Sequence, residues 1–104
     1  MNAYTTKWPT AVEGSAVSER QRKEARDIIE HVAQKHGVSV REILNHNRVP
    51  NTVAARQEAM RLVYSTGLKL GQVGLIFGRD HSTVLHGIRR AEARLNTTPK
   101  GKSE

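Results

Sequence analysis

A chain of 104 residues with 37% hydrophobic content has room for one small domain with a modest core, and not for a second, catalytic one. It contains no cysteine, which excludes a disulfide framework and a cysteine-based zinc site. The formal charge of +7 favours a polyanionic partner or an anionic surface, and the excess is uneven: +1 over residues 18–36 and +5 over 37–95, where eight of nine cations are arginine. No stretch approaches the roughly 18 apolar residues of a membrane span. The start MNAYTTKWPT lacks the apolar stretch of a secretory signal, so the cytoplasm is the expected compartment.

Residues 1–17 show no hydrophobic period and read as a flexible arm, in which Trp8 either docks on the body or stacks against a partner. Ser18 with Gln21 is a capping-box pattern, and Ala25, Ile28, Ile29, Val32 and Ala33 repeat at helical spacing until Gly37, predicting a helix over 19–36. Ser39 with Glu42, stapled by Val38 and Ile43, predicts a short helix over 40–45. Asn45 to Asn51 reads as a loop that Pro50 keeps from becoming helical, with Arg48 at its tip. A third helix is expected over 52–66, with Val53, Met60, Leu62 and Val63 inward and Gly67 as its stop.

Leu70, Val73, Gly74 and Phe77 form the stripe of a fourth helix closed by Gly78, and Gly74 in its middle marks a close helix-helix crossing. Asp80 is placed as the N-cap of a fifth helix. There Val84, Ile88, Ala91 and Leu95 make an apolar stripe, while Ser82, His86, Arg89 and Ala93 lie opposite. The folded domain is expected over 18–96, with 97–104 as a polar tail.

The fourth and fifth helices, joined by Gly78-Arg79-Asp80, make a short-turn pair of the kind whose second member enters the DNA major groove. The residue types at the start of the fifth helix fit that task. A carboxylate at Asp80 accepts from a cytosine amino group, His81 donates or accepts at base edges, and Thr83 offers a hydroxyl and a methyl to thymine. Asp80 reads equally as a pure helix cap, and His86 equally as a solvated side chain or a phosphate or base contact. Arg89 and Arg90, further along the helix, fit phosphate.

The runs GRDHSTVLH at 78–86, LGQVGLIFG at 70–78 and RQEAM at Arg56–Met60 resemble the C-terminal DNA-binding domain, domain IV, of the bacterial replication initiator DnaA, over about Ala33 to Ala91. The resemblance implies an all-α, five-helix fold with a helix-turn-helix of the Trp-repressor type. It implies that Asp80, His81, Ser82 and Thr83 read the major groove of a DnaA box and that Arg48 enters the adjacent minor groove. It also implies that Arg56 and Gln57 contact phosphate at a helix N-terminus, beside Arg79 in the turn. The sequence departs from the family pattern at Ser82, which replaces the usual threonine, and in having one glycine before Arg79 instead of the commoner pair. His46 and Asn47 stand at loop positions that are often basic, and Ala54-Ala55 replace a usual Arg-Pro. Fewer cations flatten the salt dependence, so the target sequence is expected to differ from a standard box.

The initiator's ATPase domain is not expected here, because the Gly-x-x-x-x-Gly-Lys-[Ser/Thr] phosphate loop does not occur. The resemblance therefore implies a stand-alone, monomeric reader of double-stranded DNA that competes with the initiator for boxes, regulates transcription, or serves a phage or plasmid. Membrane binding is disfavoured because the apolar helix faces are narrow and needed for the core. His46-Asn47 matches part of a metal-nuclease motif, but His81 and His86 are five residues apart on a helix and no carboxylate cluster accompanies His46. No enzyme activity, metal or cofactor is expected. The remaining alternative is a protein-interaction module that uses the same surface or the 1–17 arm to bind the initiator or another protein.

Overall fold

Two serine caps set the first two helices. Ser18 Oγ accepts the Gln21 backbone N–H at 3.1 Å while Gln21 Oε1 accepts the Ser18 N–H at 2.9 Å, and α1 runs Glu19–His36 to a left-handed Gly37. The reciprocal pair recurs between Ser39 and Glu42 at 3.0 and 2.9 Å, starting α2 at Val40–Leu44. Three further helices follow: α3 at Pro50–Tyr64, α4 at Leu70–Phe77 and α5 at His81–Ser103. This computed structural model describes the backbone of residues 17–103 and the side chains of 17–95, and among them the fold is all-helical. Trp8 lies outside the described residues. Val17, expected in the arm, instead belongs to the core.

The central helix is α3, which packs against all four others. Ala55, Ala59, Met60 and Val63 from α3 meet Val32 of α1, Ile43 of α2, Val73 and Phe77 of α4, and Val84 of α5 in one buried cluster. Fully buried aliphatic and aromatic side chains of this size contribute about 1.5–3 kcal/mol each. The expected inward positions shift slightly. Thr52, Ala55 and Ala59 are buried, whereas Val53 and Leu62 are only partly so.

Pro50 corrects the expected loop. It is the first residue of α3 rather than a barrier to it, because a first-turn residue needs no intrahelical N–H donor and the proline ring already holds the helical φ. Val49 is extended as expected, at φ −61° and ψ 130°. The non-helical loop therefore shortens to residues 45–49, and Asn51 Nδ2 instead donates to the His36 carbonyl at the end of α1, at 2.9 Å.

The turn between α4 and α5 is set by Gly78, at φ 69°. Its N–H and that of Arg79 both donate to the Gly74 carbonyl, so the chain folds back over the last turn of α4. This explains Gly74 differently from the expected helix-helix crossing. A Cβ at Gly74 would collide with the carbonyl oxygen of Arg79, so the close neighbour is the turn's own backbone. The close crossing lies at Gly87 in α5, where a Cβ would sit 2.9 Å from Met60 Sδ of α3.

On α5, Val84, Ile88 and Ala91 face the core as expected, but Leu95 is 50% exposed, because the core neighbours end before it. The helix also continues through Ser103, past its expected end near 96. No helix among the described residues is long and apolar enough to cross a membrane.

Candidate nucleic-acid interface

Burying one face of α5 turns Ser82, His86 and Arg89 outward, and all three are exposed together with Asp80, His81 and Thr83. The start of the helix is organised by Asp80. Its Oδ1 accepts the Thr83 N–H at 3.0 Å and lies 3.4 Å from the Ser82 hydroxyl. The Thr83 backbone bond and the Thr83 hydroxyl, with the Ser82 hydroxyl and His81 adding to them, hold the Asp80 carboxyl below its usual range against the opposing effect of desolvation. Asp80 is thus a helix cap and fully exposed at once. One carboxylate fixes the first turn of α5 and remains at the surface.

Arg48 is exposed on the loop between α2 and α3. That loop has an internal scaffold in two successive Asx turns: Asn45 Oδ1 accepts the Asn47 N–H at 2.8 Å and Asn47 Oδ1 accepts the Val49 N–H at 2.7 Å. Neither asparagine is expected from the sequence to hold the loop: Asn47 stands out only as a departure from a basic position and as half of the His46-Asn47 pair, and Asn45 only as the start of the loop. Their Asn-x-Asn spacing, between a helix end and a proline, is the signal for this local bonding.

Arg56 has a different place from the one expected. With α3 starting at Pro50, it is two turns inside the helix and away from the free N–H groups of a helix N-terminus. It is 7% exposed, and its guanidinium donates inward to the loop. Nε donates to the Ile43 carbonyl at 2.6 Å, and Nη2 to those of Glu42, Asn45 and Asn47 at 3.1, 2.9 and 2.9 Å. Burial and the charge of Arg79 push the Arg56 pKa down from its usual value. A side chain so placed supports the backbone that carries Arg48.

Arg79 is half-buried and also turns inward, donating from Nη1 to the Phe77 carbonyl at 2.8 Å and from Nη2 to the Asn45 carbonyl at 2.7 Å. The helix-turn-helix turn and the Arg48 loop, 34 residues apart in sequence, therefore meet at one carbonyl oxygen. Gln57 is half-buried on the side of α3 that meets Gly87, and among the described residues its Oε1 has no partner. No group of three His, Asp or Glu side chains among the described residues is placed to hold a metal ion.

A short helix capped by a left-handed glycine, a three-residue turn, and a second helix that buries one stripe and exposes a polar N-terminal turn define a DNA-binding helix-turn-helix. The chain belongs to the bacterial DnaA protein helix-turn-helix family, which residues 25–91 match. It is 42% identical over 77 residues to the chromosomal replication initiator proteins DnaA of Rhodopseudomonas palustris, a Bradyrhizobium species and Nitrobacter hamburgensis. The aligned part is 72% of this chain and 16% of each relative, so the chain spans about a sixth of the length of these initiators. No solved structure matches it.

Proposed function

We propose that this domain is a sequence-specific reader of double-stranded DNA that engages two adjacent grooves of a DnaA-box-like site. Asp80, His81, Ser82 and Thr83 meet base edges in the major groove, Arg48 enters the minor groove, and His86, Arg89 and Arg90 lie along the phosphates. The observation that carries this reading is the exposed polar first turn of α5, fixed by Asp80 and backed by the buried stripe of Val84, Ile88 and Ala91. This reading does not rest on Arg56, whose guanidinium donates mainly to the loop carbonyls, or on half-buried Gln57. The biological role that fits is control of replication initiation or of transcription by a monomer occupying such sites.

Fluorescence-anisotropy titration at two salt concentrations, with a box duplex and a scrambled one, tests this. The box is expected to bind at least about tenfold more tightly, or roughly 1.4 kcal/mol. Arg48→Ala is expected to cost about 1–3 kcal/mol and to relax the preference for A·T beside the major-groove site. Equal binding of both duplexes that collapses with salt would reduce the domain to a general polyanion binder. No binding to either would favour a protein-interaction module.

A further inference from the structure

We propose that Arg79 is a positioning residue for minor-groove readout: it ties the Arg48 loop to the turn before α5 and so sets the spacing of the two reading elements. The proposal deepens the two-groove reading above and rests on it. The Asn45 carbonyl oxygen receives Arg79 Nη2 at 2.7 Å and Arg56 Nη2 at 2.9 Å, one from the helix-turn-helix turn and one from the central helix. A carbonyl oxygen has two lone pairs, and both are engaged here by charged donors. Arg79 Nη1 holds the Phe77 carbonyl at the C-terminal end of α4, where the helix dipole favours a cation. Arg56 fixes the rest of the loop through Ile43, Glu42 and Asn47. The loop is thus pinned to α3 by one guanidinium and to the α4–α5 turn by the other.

The two tethers have different consequences when cut. Arg56 is part of the buried core, and its loss affects the fold. Arg79 is half-buried at the edge, and Asn45 is exposed, so water can replace its bonds. Removing Arg79 also relieves the repulsion between two guanidinium groups that share one acceptor. Arg79→Met keeps the bulk of the stem and removes the donors, leaving a folded domain whose loop is no longer referenced to α5.

The experiment uses the full chain in two measurements. Amide hydrogen exchange without DNA compares wild type with Arg79→Met at residues 45–49. Anisotropy titrations then compare wild type, Arg48→Ala, Arg79→Met and the double variant on three duplexes: the box, the box with its minor-groove A·T pairs changed to G·C, and a scramble. Arg79→Met is expected to speed exchange of the Asn47 and Val49 amides while leaving exchange in α3 unchanged. It is expected to lose the preference for the first duplex over the second by about fivefold or more, as Arg48→Ala does, and to keep the preference for the second over the third. Added to Arg48→Ala it should change the first ratio by less than about twofold, because two residues acting through one contact are not additive. The salt slope should stay at the wild-type value.

Three results would overturn the proposal. A uniform loss on all three duplexes, with a salt slope reduced by about 1, makes Arg79 a direct phosphate contact. Unchanged loop exchange shows that the tether does not order the loop. An Arg48→Ala variant that retains the first ratio removes the minor-groove reading, and the role of Arg79 with it, whatever the exchange data show.

Discussion

Replacing Arg56 with methionine keeps the length and apolar bulk of the side chain but removes every donor it gives to the loop. Three N–H groups, one on Nε and two on Nη2, serve four backbone carbonyls at 2.6 to 3.1 Å, so one Nη2 hydrogen is shared. Hydrogen bonds to a charged group contribute about 1.5–3 kcal/mol each, which in a rigid, dry site would give about 4.5–9 kcal/mol for three. Two features of the site reduce that figure. Burial already opposes the charged form, as the lowered pKa of Arg56 records, and methionine removes that penalty. The carbonyls of Asn45 and Asn47 belong to a loop that can rotate toward water, whereas the Ile43 carbonyl, on a fully buried residue of α2, cannot easily do so. The expected net loss is about 3 kcal/mol. In a domain of this size each kcal/mol moves the thermal midpoint by about 4–8 °C, so a fall of about 12–24 °C is expected by circular dichroism at 222 nm. A fall of less than about 4 °C would refute the reasoning, because it would mean that those carbonyls do not depend on the guanidinium.

Gly74→Ala should destabilise the domain by about 1–2 kcal/mol in urea melts, although alanine is the better helix former by about 1 kcal/mol, because its methyl meets the Arg79 carbonyl and must open the turn; unchanged or greater stability would contradict that geometry. Asp80 has a depressed folded-state pKa, so its contribution to stability is fully present above the ordinary carboxylate range and is lost as the pH falls through the lowered value. Asp80→Asn, which retains a neutral cap, should therefore show a flatter thermal midpoint than wild type between about pH 5 and pH 2, and parallel curves would argue against the cap. Glu58 accepts from Lys35 at 2.8 Å and pairs with His36 at 2.7 Å; desolvation raises its pKa, but these bonds and charges prevail and lower it. Its sign is that of Asp80: Glu58→Gln should cost about 0.5–1 kcal/mol near neutral pH, with the difference from wild type vanishing in acid.

The starts of α1 and α2 and the stops of α1 and α4 were legible because their causes are local, whereas α3 ends at Tyr64 instead of at Gly67. Ser18 with Gln21, Ser39 with Glu42, Gly37 and Gly78 each act within a few residues, and each appears where its spacing places it. The exposed face of α5 was legible for the same reason, since a stripe at Val84, Ile88 and Ala91 fixes what lies opposite. Pro50 was misjudged because proline ends one helix and begins the next with equal ease, and only the position of the chain after it decides. The place of Arg56 was misjudged for a non-local reason. An arginine in a polar stretch of helix reads as solvent-facing until the carbonyls of residues 42–47 are brought against it, and nothing in its own neighbourhood announces them. Gly74 shows the intermediate case, in which the need for a close approach was visible and the identity of the approaching group was not.

The loop at residues 45–49 shows how a DNA reader can exchange charge for order. A loop that becomes fixed only on binding loses about 1–2 kcal/mol of backbone entropy per residue at that moment, so five free residues would weaken association by several kcal/mol. Here Asn45 and Asn47 direct their side-chain oxygens at backbone N–H groups within the loop, and Arg56 and Arg79 engage its carbonyls from outside. The ordering cost falls on folding, where the buried core of α3 supports it. With asparagine at 47 and histidine at 46 the loop presents Arg48 as its one arginine, so the contribution to binding proposed for it would depend on where that side chain is held more than on how much charge surrounds it. Under the proposed two-groove reading, a loop of this kind would weaken salt-driven binding to arbitrary DNA and preserve binding wherever the minor groove is narrow enough to favour a single, well-placed guanidinium.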